Sequence, residues 1–405
     1  MREERTGADG QGAGLWTPDY CRILLANLLL LTAGNAMGST FSLYIFSRGG
    51  SEIDVGIGSY IQASACLLVR PLAGWFLDHR SRRSILLFGL FSLAFVQLGY
   101  IFAASLVLIQ LIRFVNSSLM AASATAMTAN AYDTLKKDTF TEGVGYFGFS
   151  NSLANAVAPG MGLWLWSRFG APGVFGALAA AVFAAFLLVR KFKFFAVPRE
   201  KRTPLRQERI RDFIYEKHAL PASVLEGFVA LGSGAMGPYL PIFLIQRAVL
   251  QNPGLFYTAQ ACGTFSARLF VGKISGRYGE GPIVWSSAVM FSLGILGLTF
   301  SESPAMILGE AFFMGIGYGL TVTGFQIMSV RLVAPERRGA ASSTYACGWD
   351  VCAACGGLLA GMLLSVFSYR TVFSLILLIY PVYVLVYVLV ISRHPSAFKN
   401  YSGRT

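Results

Sequence analysis

The sequence predicts an all-α membrane protein in which twelve transmembrane helices form two pseudo-symmetric six-helix bundles. Of its 405 residues, 55% are hydrophobic, and the mean hydropathy is +0.57. A soluble domain of this length could not bury so much apolar surface, which places the chain in a lipid bilayer. Twelve apolar segments are long enough to span a bilayer. The second half of the chain also repeats the first about 198 positions later.

The predicted spans follow one another with short connections. They are residues 21–46, 54–77, 84–104, 106–131, 143–167 and 172–195, then 219–246, 254–275, 282–301, 304–330, 339–366 and 369–392. One long polar stretch, 196–218, separates the halves, so we expect an N-terminal bundle at 1–195 and a C-terminal bundle at 219–405. The later part of this connector is either a short helix on the membrane surface or a solvated linker.

Short segments and single residues that recur in the second half identify the internal repeat. Ala36-Met37-Gly38 recurs as Ala235-Met236-Gly237, Arg70 and Gly74 recur as Arg268 and Gly272, Gly143 falls opposite Gly339, and Arg113 falls opposite Glu310. Each copy has six spans and therefore begins and ends on the same side of the membrane. Two like-oriented bundles that face each other across a central axis are the architecture of a carrier.

Basic residues alternate between the loops and predict the orientation. One set of loops carries Arg80, Arg82, Arg83, Lys136, Lys137, a cluster from Arg190 to Lys217, Arg277, Arg337 and Arg338, whereas the other carries only Arg48, Arg168, Arg247 and Arg370. The positive-inside rule places both termini and the connector in the cytoplasm. The net charge of +13 is therefore explained by topology and not by a nucleic-acid partner. The short loops are typical of a bacterial inner-membrane protein.

Other functional classes find little support. The six cysteines all fall within predicted spans, which argues against a disulfide framework. The sequence has no G-x-x-x-x-G-K-[ST] loop for ATP and no nucleophile elbow or metalloprotease signature, so we expect neither an enzyme nor a bound cofactor or metal. A channel or a polytopic membrane enzyme stays conceivable. The expected partners of this monomer are the lipid bilayer, a small-molecule substrate, and protons or another coupling ion.

Residues 74–83 read G-W-F-L-D-H-R-S-R-R between the second and third spans. This segment resembles the loop signature G-x-x-x-D-R-x-G-R-R of the major facilitator superfamily, with His79 and Ser81 departing from it. The resemblance implies the superfamily's twelve-helix fold, transport by alternating access, and a gating role for a set of four residues: Gly74, Asp78, Arg82 and Arg83. The equivalent stretch of the second half, Gly272 to Arg277, lacks the acidic residue, so we expect an asymmetric gate.

The fifth span contains Ala158-Pro159-Gly160-Met161-Gly162, which is similar to the G-P-x-x-G motif of the superfamily's exporters. Alanine replaces the first glycine. The resemblance favours export by antiport and a gating role for Pro159 and Gly162, although Pro and Gly are also common as a simple kink. The symmetry-related Arg70 and Arg268 are likewise assigned mainly to the gate.

Four further charged residues within the spans need a cavity or a partner, because a charge in lipid is costly. The superfamily's exporters carry an arginine implicated in proton coupling where this chain has Arg113, and its repeat mate Glu310 has the opposite sign. These two could pair or jointly hold a zwitterionic substrate. Asp350 is the best candidate proton carrier, followed by Glu310 and Glu226. A structural role for Asp350 stays open, and Glu226 ranks below it because its side chain could extend to the nearby cytoplasmic surface.

Polar and aromatic residues within the spans are candidates for substrate contacts. With Arg113 and Glu310, the predicted substrate-binding set is Asn35, Asn151, Asn155, Tyr239, Gln326 and Trp349, and Gln62, Gln260 and Tyr345 are further candidates for the cavity wall. The leading functional hypothesis is proton-coupled export of a small organic molecule. The alternative is a proton symporter or facilitator that imports an organic anion or metabolite, with arginines supplying the positive charge.

Overall fold

The computed structural model describes residues 15–79, 82–135, 139–192, 216–250, 252–331, 333 and 338–394. All regular structure in these residues is helical. The α-helices are α1 (Pro18–Ser47), α2 (Glu52–His79), α3 (Arg82–Phe102), α4 (Leu106–Asp133), α5 (Phe140–Arg190), α6 (Leu220–Met236), α7 (Leu240–Arg247), α8 (Gly254–Tyr278), α9 (Gly281–Phe300), α10 (Pro304–Val330), α11 (Arg338–Leu364), α12 (Tyr369–Ile376) and α13 (Ile379–Leu389).

These helices supply the twelve predicted spans. Helix α5 holds the fifth and sixth spans, with a kink at Gly170, whose φ of 62° lies in the left-handed region that glycine tolerates. A turn at residues 237–239 divides the seventh span into α6 and α7, and a turn at 377–378 divides the twelfth into α12 and α13. Nine helical stretches of the described chain are long and apolar enough to cross a membrane by themselves. The protein is therefore a multi-pass membrane protein.

Local sequence sets where several helices begin. Thr17, Ser105 and Ser368 have extended backbones, and each side-chain oxygen accepts a hydrogen bond from a backbone N–H in the first turn of α1, α4 or α12, at 3.2 Å in each case. Such caps satisfy donors that have no partner within the helix. Proline near the start of α1, α6, α9 and α10 suits the same positions, because an N–H is not needed there.

The packing within the two halves is duplicated. In the first half α1 packs on α5 and α2 on α4, and in the second half α6 packs on α11 and α8 on α10. Each second-half helix is the repeat mate of its first-half counterpart, so the contacts follow the sequence repeat. The predicted fold of two pseudo-symmetric bundles is confirmed.

Glycines permit close backbone approach within the second bundle. A side chain at Gly315 of α10 would overlap the carbonyl of Gln260 on α8, and one at Gly263 of α8 would overlap the carbonyl of Phe312. Since lipid supplies little hydrophobic force between helices, such close approach stabilises the bundle through van der Waals contact.

The two bundles meet along two matching pairs of helices, α2 with α11 and α5 with α8. A Cβ at Gly56 of α2 would lie 2.9 Å from the carbonyl oxygen of Gly357 on α11. A Cβ at Gly254 of α8 would lie 2.8 Å from the Cα of Gly160 on α5. Gly254 follows Gly56 by 198 residues, so the same glycine crossing occurs twice in the interface. The crossing lies toward the face where α1 ends. We call the opposite face, where α1 begins, the terminal face.

Gly315→Ala is expected to destabilise the protein by roughly 1–3 kcal/mol, because the added methyl group must push α10 away from α8. The measurement is the thermal unfolding midpoint of purified protein in detergent. The matched control is Gly309→Ala, one and a half turns earlier on the same helix, where an added Cβ meets nothing within 4 Å. The control should be neutral or slightly stabilising, since alanine favours helix by about 1 kcal/mol. Equal midpoints for the two variants would contradict the packing role.

Candidate functional site

A cavity of about 1250 Å³ lies between the two bundles. Helices of both halves line it, and four residues of the predicted substrate-binding set are in its wall: Asn35, Arg113, Asn155 and Trp349. Gln62 and Gln260 line it as well. The amide of Asn35 donates a 2.6 Å hydrogen bond to Asn155, which links α1 and α5 at the cavity surface. A cavity of this size can enclose a drug-sized molecule.

Arg113 supplies one positive charge to the cavity from α4. Its side chain is almost fully buried, with 4% of the residue exposed. The guanidinium donates to Gln62 Oε1 and lies 4.1 Å from the centre of the Phe41 ring. Both partners are uncharged. The structure therefore holds this cation by a hydrogen bond and a cation–π contact, which leaves its charge uncompensated.

Arginines on α2 and α8 form matching contacts between the bundles. Arg70 of α2 forms an ion pair with Asp350 of α11, and Arg268 of α8 donates to the Ser152 hydroxyl of α5. Arg70 and Arg268 are 198 residues apart, and so are Ser152 and Asp350. Because of the internal repeat, equivalent contacts occur at two places in the interface between the bundles. One copy is ionic, and the other joins a cation to a neutral hydroxyl.

Aromatic rings make up much of the remaining wall. Phe149 of α5 and Phe265 of α8 contact each other across the two bundles, with ring centroids 6.1 Å apart. Tyr318 of α10 and Trp349 of α11 form an edge-on pair at 5.7 Å. All four side chains line the cavity. The site therefore combines broad apolar faces with a few polar groups, as is usual for sites that bind organic molecules.

Four residues of the predicted substrate-binding set lie elsewhere. Glu310 accepts a 3.1 Å hydrogen bond from Ser301 and faces Gly297 of α9. Asn151 accepts from the Asn27 amide at 2.7 Å. Gln326 is exposed outside the cavity wall. The structure does not bring Arg113 and Glu310 together, because Arg113 is bonded to Gln62 while Glu310 points into the α9–α10 interface.

Tyr239, the fourth of these residues, joins the bundles near the glycine crossing. Its hydroxyl is shared between the carbonyl oxygens of Glu52, at 3.0 Å, and Gly357, at 2.9 Å. It is fully buried and lies in the turn between α6 and α7. Its contacts hold α2 against α11 and leave no free hydroxyl for a ligand.

Glu226, predicted to take part in proton coupling, is buried within the C-terminal bundle. No part of the residue is exposed, and Tyr345 is a polar neighbour of its carboxyl group. It lies on α6 and does not line the cavity. In the described part of the chain no group of three or more His, Cys, Asp or Glu side chains could hold a metal ion.

The predicted gating residues fall into two groups. The surroundings of Gly74, Asp78 and Arg82 are outside what the structure describes, and Arg83 is exposed at the start of α3. In α5, Pro159 lines the cavity, and its carbonyl accepts a hydrogen bond from Ser39 at 3.3 Å. Gly162 lies against α1, where a Cβ would be 2.9 Å from the carbonyl oxygen of Ala36. The gating roles of all these residues stay predictions.

Sequence reasoning did not find two polar contacts. Ser152 is absent from the predicted site residues, although it precedes Asp350 by 198 residues and is therefore its equivalent in the internal repeat. Glu280, just after α8, forms a 3.1 Å ion pair with Arg331 at the end of α10. The stretch from Gly272 to Arg277 has no acidic residue of its own, and Glu280 lies three residues beyond it.

Twelve spans in two duplicated bundles around a central cavity define the class of duplicated, polytopic membrane proteins. Residues 23–249 and 222–404 both match the family model of the Major Facilitator Superfamily. The chain belongs to this superfamily, as its loop signature predicted.

Curated relatives match over part of their length. An uncharacterized MFS-type transporter of Pseudomonas aeruginosa strain LESB58 is 27% identical over 144 residues, 36% of this chain and 36% of that protein. An uncharacterized MFS-type transporter of Burkholderia mallei strain SAVP1 is 29% identical over 147 residues, 36% of each chain. The chain thus spans about a third of the length of the curated relatives it matches.

Solved structures share the fold over nearly the whole chain. The nucleoside transporter NupG superposes with a TM-score of 0.78 at 12% identity, covering 93% of this chain and 99% of that one. A bacterial homolog of the human lysosomal transporter Spinster, in an inward-facing and occupied conformation, gives 0.74 at 14% identity over 91% and 95%. A bacterial homologue of the iron transporter ferroportin gives 0.67 at 14% identity over 91% and 97%. At these identities the likeness shows the fold alone.

Tyr239→Phe is expected to lower stability by about 1 kcal/mol, because two buried carbonyl groups at the bundle interface lose their shared donor. The thermal unfolding midpoint in detergent measures the change. The matched control is Tyr257→Phe, since the buried hydroxyl of Tyr257 has no hydrogen-bond partner among the described residues. Removing that hydroxyl should leave the midpoint unchanged or raise it. A larger loss in the control would contradict this account of the interface.

Proposed function

We propose that the protein is a secondary active transporter that moves a small organic molecule across the bacterial inner membrane by alternating access, with both termini in the cytoplasm. The bundles at residues 1–195 and 219–405 are the two moving bodies, and the cavity between them holds the cargo. Superfamily membership, the duplicated packing and the cavity support this proposal. The described residues of the two bundles contact each other mainly along two helix pairs, which rigid-body rocking can separate and re-form.

The Arg70–Asp350 ion pair is the observation that carries the proposal. It joins the two bundles, and the Asp350 side chain is only 13% exposed. A carboxylate can accept a proton, and the neutral acid no longer attracts the guanidinium as an ion. Protonation of Asp350 would therefore weaken this contact and favour separation of α2 from α11. Such a group couples the conformation of the carrier to the proton gradient.

Export by proton antiport is the direction we propose. The segment with Pro159 and Gly162 is similar to the G-P-x-x-G motif of the superfamily's exporters, which supports this direction. Arg113 supports it as well, because those exporters carry an arginine at this place in the fourth span. Glu226 and Glu310 are secondary candidates for proton binding. Glu226 lies in the C-terminal bundle with a fully buried carboxyl group beside Tyr345, and an ionisable group inside a membrane bundle favours a functional role.

Uptake of an organic anion by symport or facilitated diffusion is the second candidate. The specific observation in its favour is the pair of arginines, Arg113 and Arg268, in the cavity wall. The two candidates differ in the direction of proton movement. In proteoliposomes with a trapped pH indicator, antiport moves protons opposite to the cargo, whereas symport moves both in the same direction.

Asp350→Asn is expected to abolish the response of the carrier to pH, and with it pH-driven transport, while leaving folding intact. The measurement is the distance between spin labels on Ser84→Cys, at the start of α3, and Tyr278→Cys, at the end of α8, in a background without native cysteines. Both positions are exposed at the terminal face, one on each bundle. In the parent protein the distance distribution should change between alkaline and acidic buffer. In the variant it should resemble the acidic state throughout.

The matched control is Glu302→Gln, which removes an exposed carboxylate from the loop between α9 and α10. It should keep the full pH response. A pH response that persists in Asp350→Asn would rule out this carboxylate as the coupling group, whatever cargo the carrier moves.

A further inference from the structure

The cavity wall carries positive charge without a compensating negative charge. Arg113 and Arg268 line it, and none of the described residues that line it is an aspartate or glutamate. The guanidinium of Arg113 is held by uncharged groups. Arg268 contacts the Ser152 hydroxyl, and its Nε has no hydrogen-bond partner among the described residues. Two such cations in a membrane interior are costly unless an anion approaches them.

The two equivalent contacts between the bundles indicate where an anionic ligand would bind. In one copy Arg70 has the carboxylate of Asp350 as its partner. In the other copy Arg268 has Ser152, which offers a hydroxyl at the position where the repeat has the carboxylate. Of these two arginines, only Arg268 lines the cavity. Arg70, outside the cavity wall, thus has a carboxylate of the chain as its partner. Arg268, which lines the cavity, has no ionic partner among the described residues.

Aromatic groups surround the charged end of this site. Phe265 lies one turn before Arg268 on α8 and contacts Phe149 of α5. Tyr318 lies within electrostatic reach of Arg268 and packs against Trp349. These rings present flat apolar faces in the same cavity as the guanidinium groups. They suit a ligand in which a planar ring is attached to an acidic group.

We propose that the cavity binds a small aromatic organic anion whose carboxylate takes the place beside Arg268 that Asp350 occupies beside Arg70. The proposal deepens the transport function above by naming its substrate class, and it rests on that function for its role in the cell. Bound carboxylate competes with Ser152 for the Arg268 guanidinium, so ligand occupancy loosens one inter-bundle contact while protonation of Asp350 loosens its mirror image. The aromatic rings hold the body of the ligand.

The first test compares three probes that share a ring and differ in charge: indole-3-acetate, indole-3-acetamide and tryptamine. A second series consists of benzoate, benzamide and benzylamine. Binding to the purified full-length protein is measured in detergent by thermal shift and calorimetry, without a proton gradient. We expect the acid of at least one series to bind at least tenfold more tightly than its amide and amine. Equal binding across each series, or preference for the amine, would overturn the proposal.

The second test gives Arg268 an internal carboxylate. Ser152→Asp recreates on this side the pairing that Arg70 has with Asp350, and it should reduce the affinity for the acid probe at least tenfold. The matched control is Ser152→Asn, which has nearly the size of the aspartate without its charge, so the acid probe should bind Ser152→Asn at least tenfold more tightly than Ser152→Asp. Because Ser152→Asp adds an ion pair and removes no core packing, it should remain folded. Unchanged acid affinity in Ser152→Asp would place the anion elsewhere.

A charge control separates this site from the general positive field of the protein. Arg370→Gln removes one positive charge from an exposed position outside the cavity and should leave acid binding unchanged. Loss of acid binding in this variant as large as in Ser152→Asp would overturn the assignment to Arg268. These binding measurements do not depend on proton coupling. A failure of the proposed transport mechanism would therefore appear in the spin-label experiment while acid binding persisted.

Discussion

The cost of placing charge in an apolar medium governs this structure. A charged side chain at the centre of a membrane helix costs roughly 3 kcal/mol on insertion scales, so each one requires a partner. Arg70 pairs with Asp350, Arg113 contacts Gln62 and Phe41, and Arg268 contacts Ser152. Two of these contacts join the bundles, and Arg113 lies in the wall of the cavity between them. The same cost therefore fixes where the bundles meet and where a ligand can bind.

The second constraint is the absence of a hydrophobic force between helices in lipid. Close packing must then come from backbone approach, which only small residues permit. Gly315 of α10 and Gly263 of α8 allow it within a bundle, and the crossings at Gly56 and Gly254 allow it between bundles. The glycine crossings lie near one face, and the arginine contacts lie nearer the terminal face. By helical rise the separation is about 20 Å along α2 and α8 and about 10–12 Å along α11 and α5. Close backbone packing and polar side-chain contacts thus join the two bundles at different depths in the membrane.

Most of the fold could be predicted from the sequence, because apolar segments and an internal repeat report directly on membrane spans and duplicated bundles. The breaks within the seventh and twelfth spans could not, since they depend on local turns that hydropathy does not record. Within the site, Arg113 and Asp350 stood out because charge is rare in lipid. Ser152 did not, because a serine in a membrane helix is common, and only its contact with Arg268 distinguishes it. Glu310 is equally conspicuous as a charge but faces α9, a direction that spacing alone does not give.

Duplication followed by divergence at one position explains how two signals can act on one interface. If both copies of the arginine contact were ionic, a proton would loosen either one, and Arg268 would have no unpaired charge to offer a ligand. If both were neutral, neither would respond to pH. The chain instead has aspartate in one copy and serine in the other, while both arginines are retained. In the proposed mechanism a symmetric interface thereby has one contact that responds to protons and one that is open to an anionic ligand, so each signal acts on a different half of the interface.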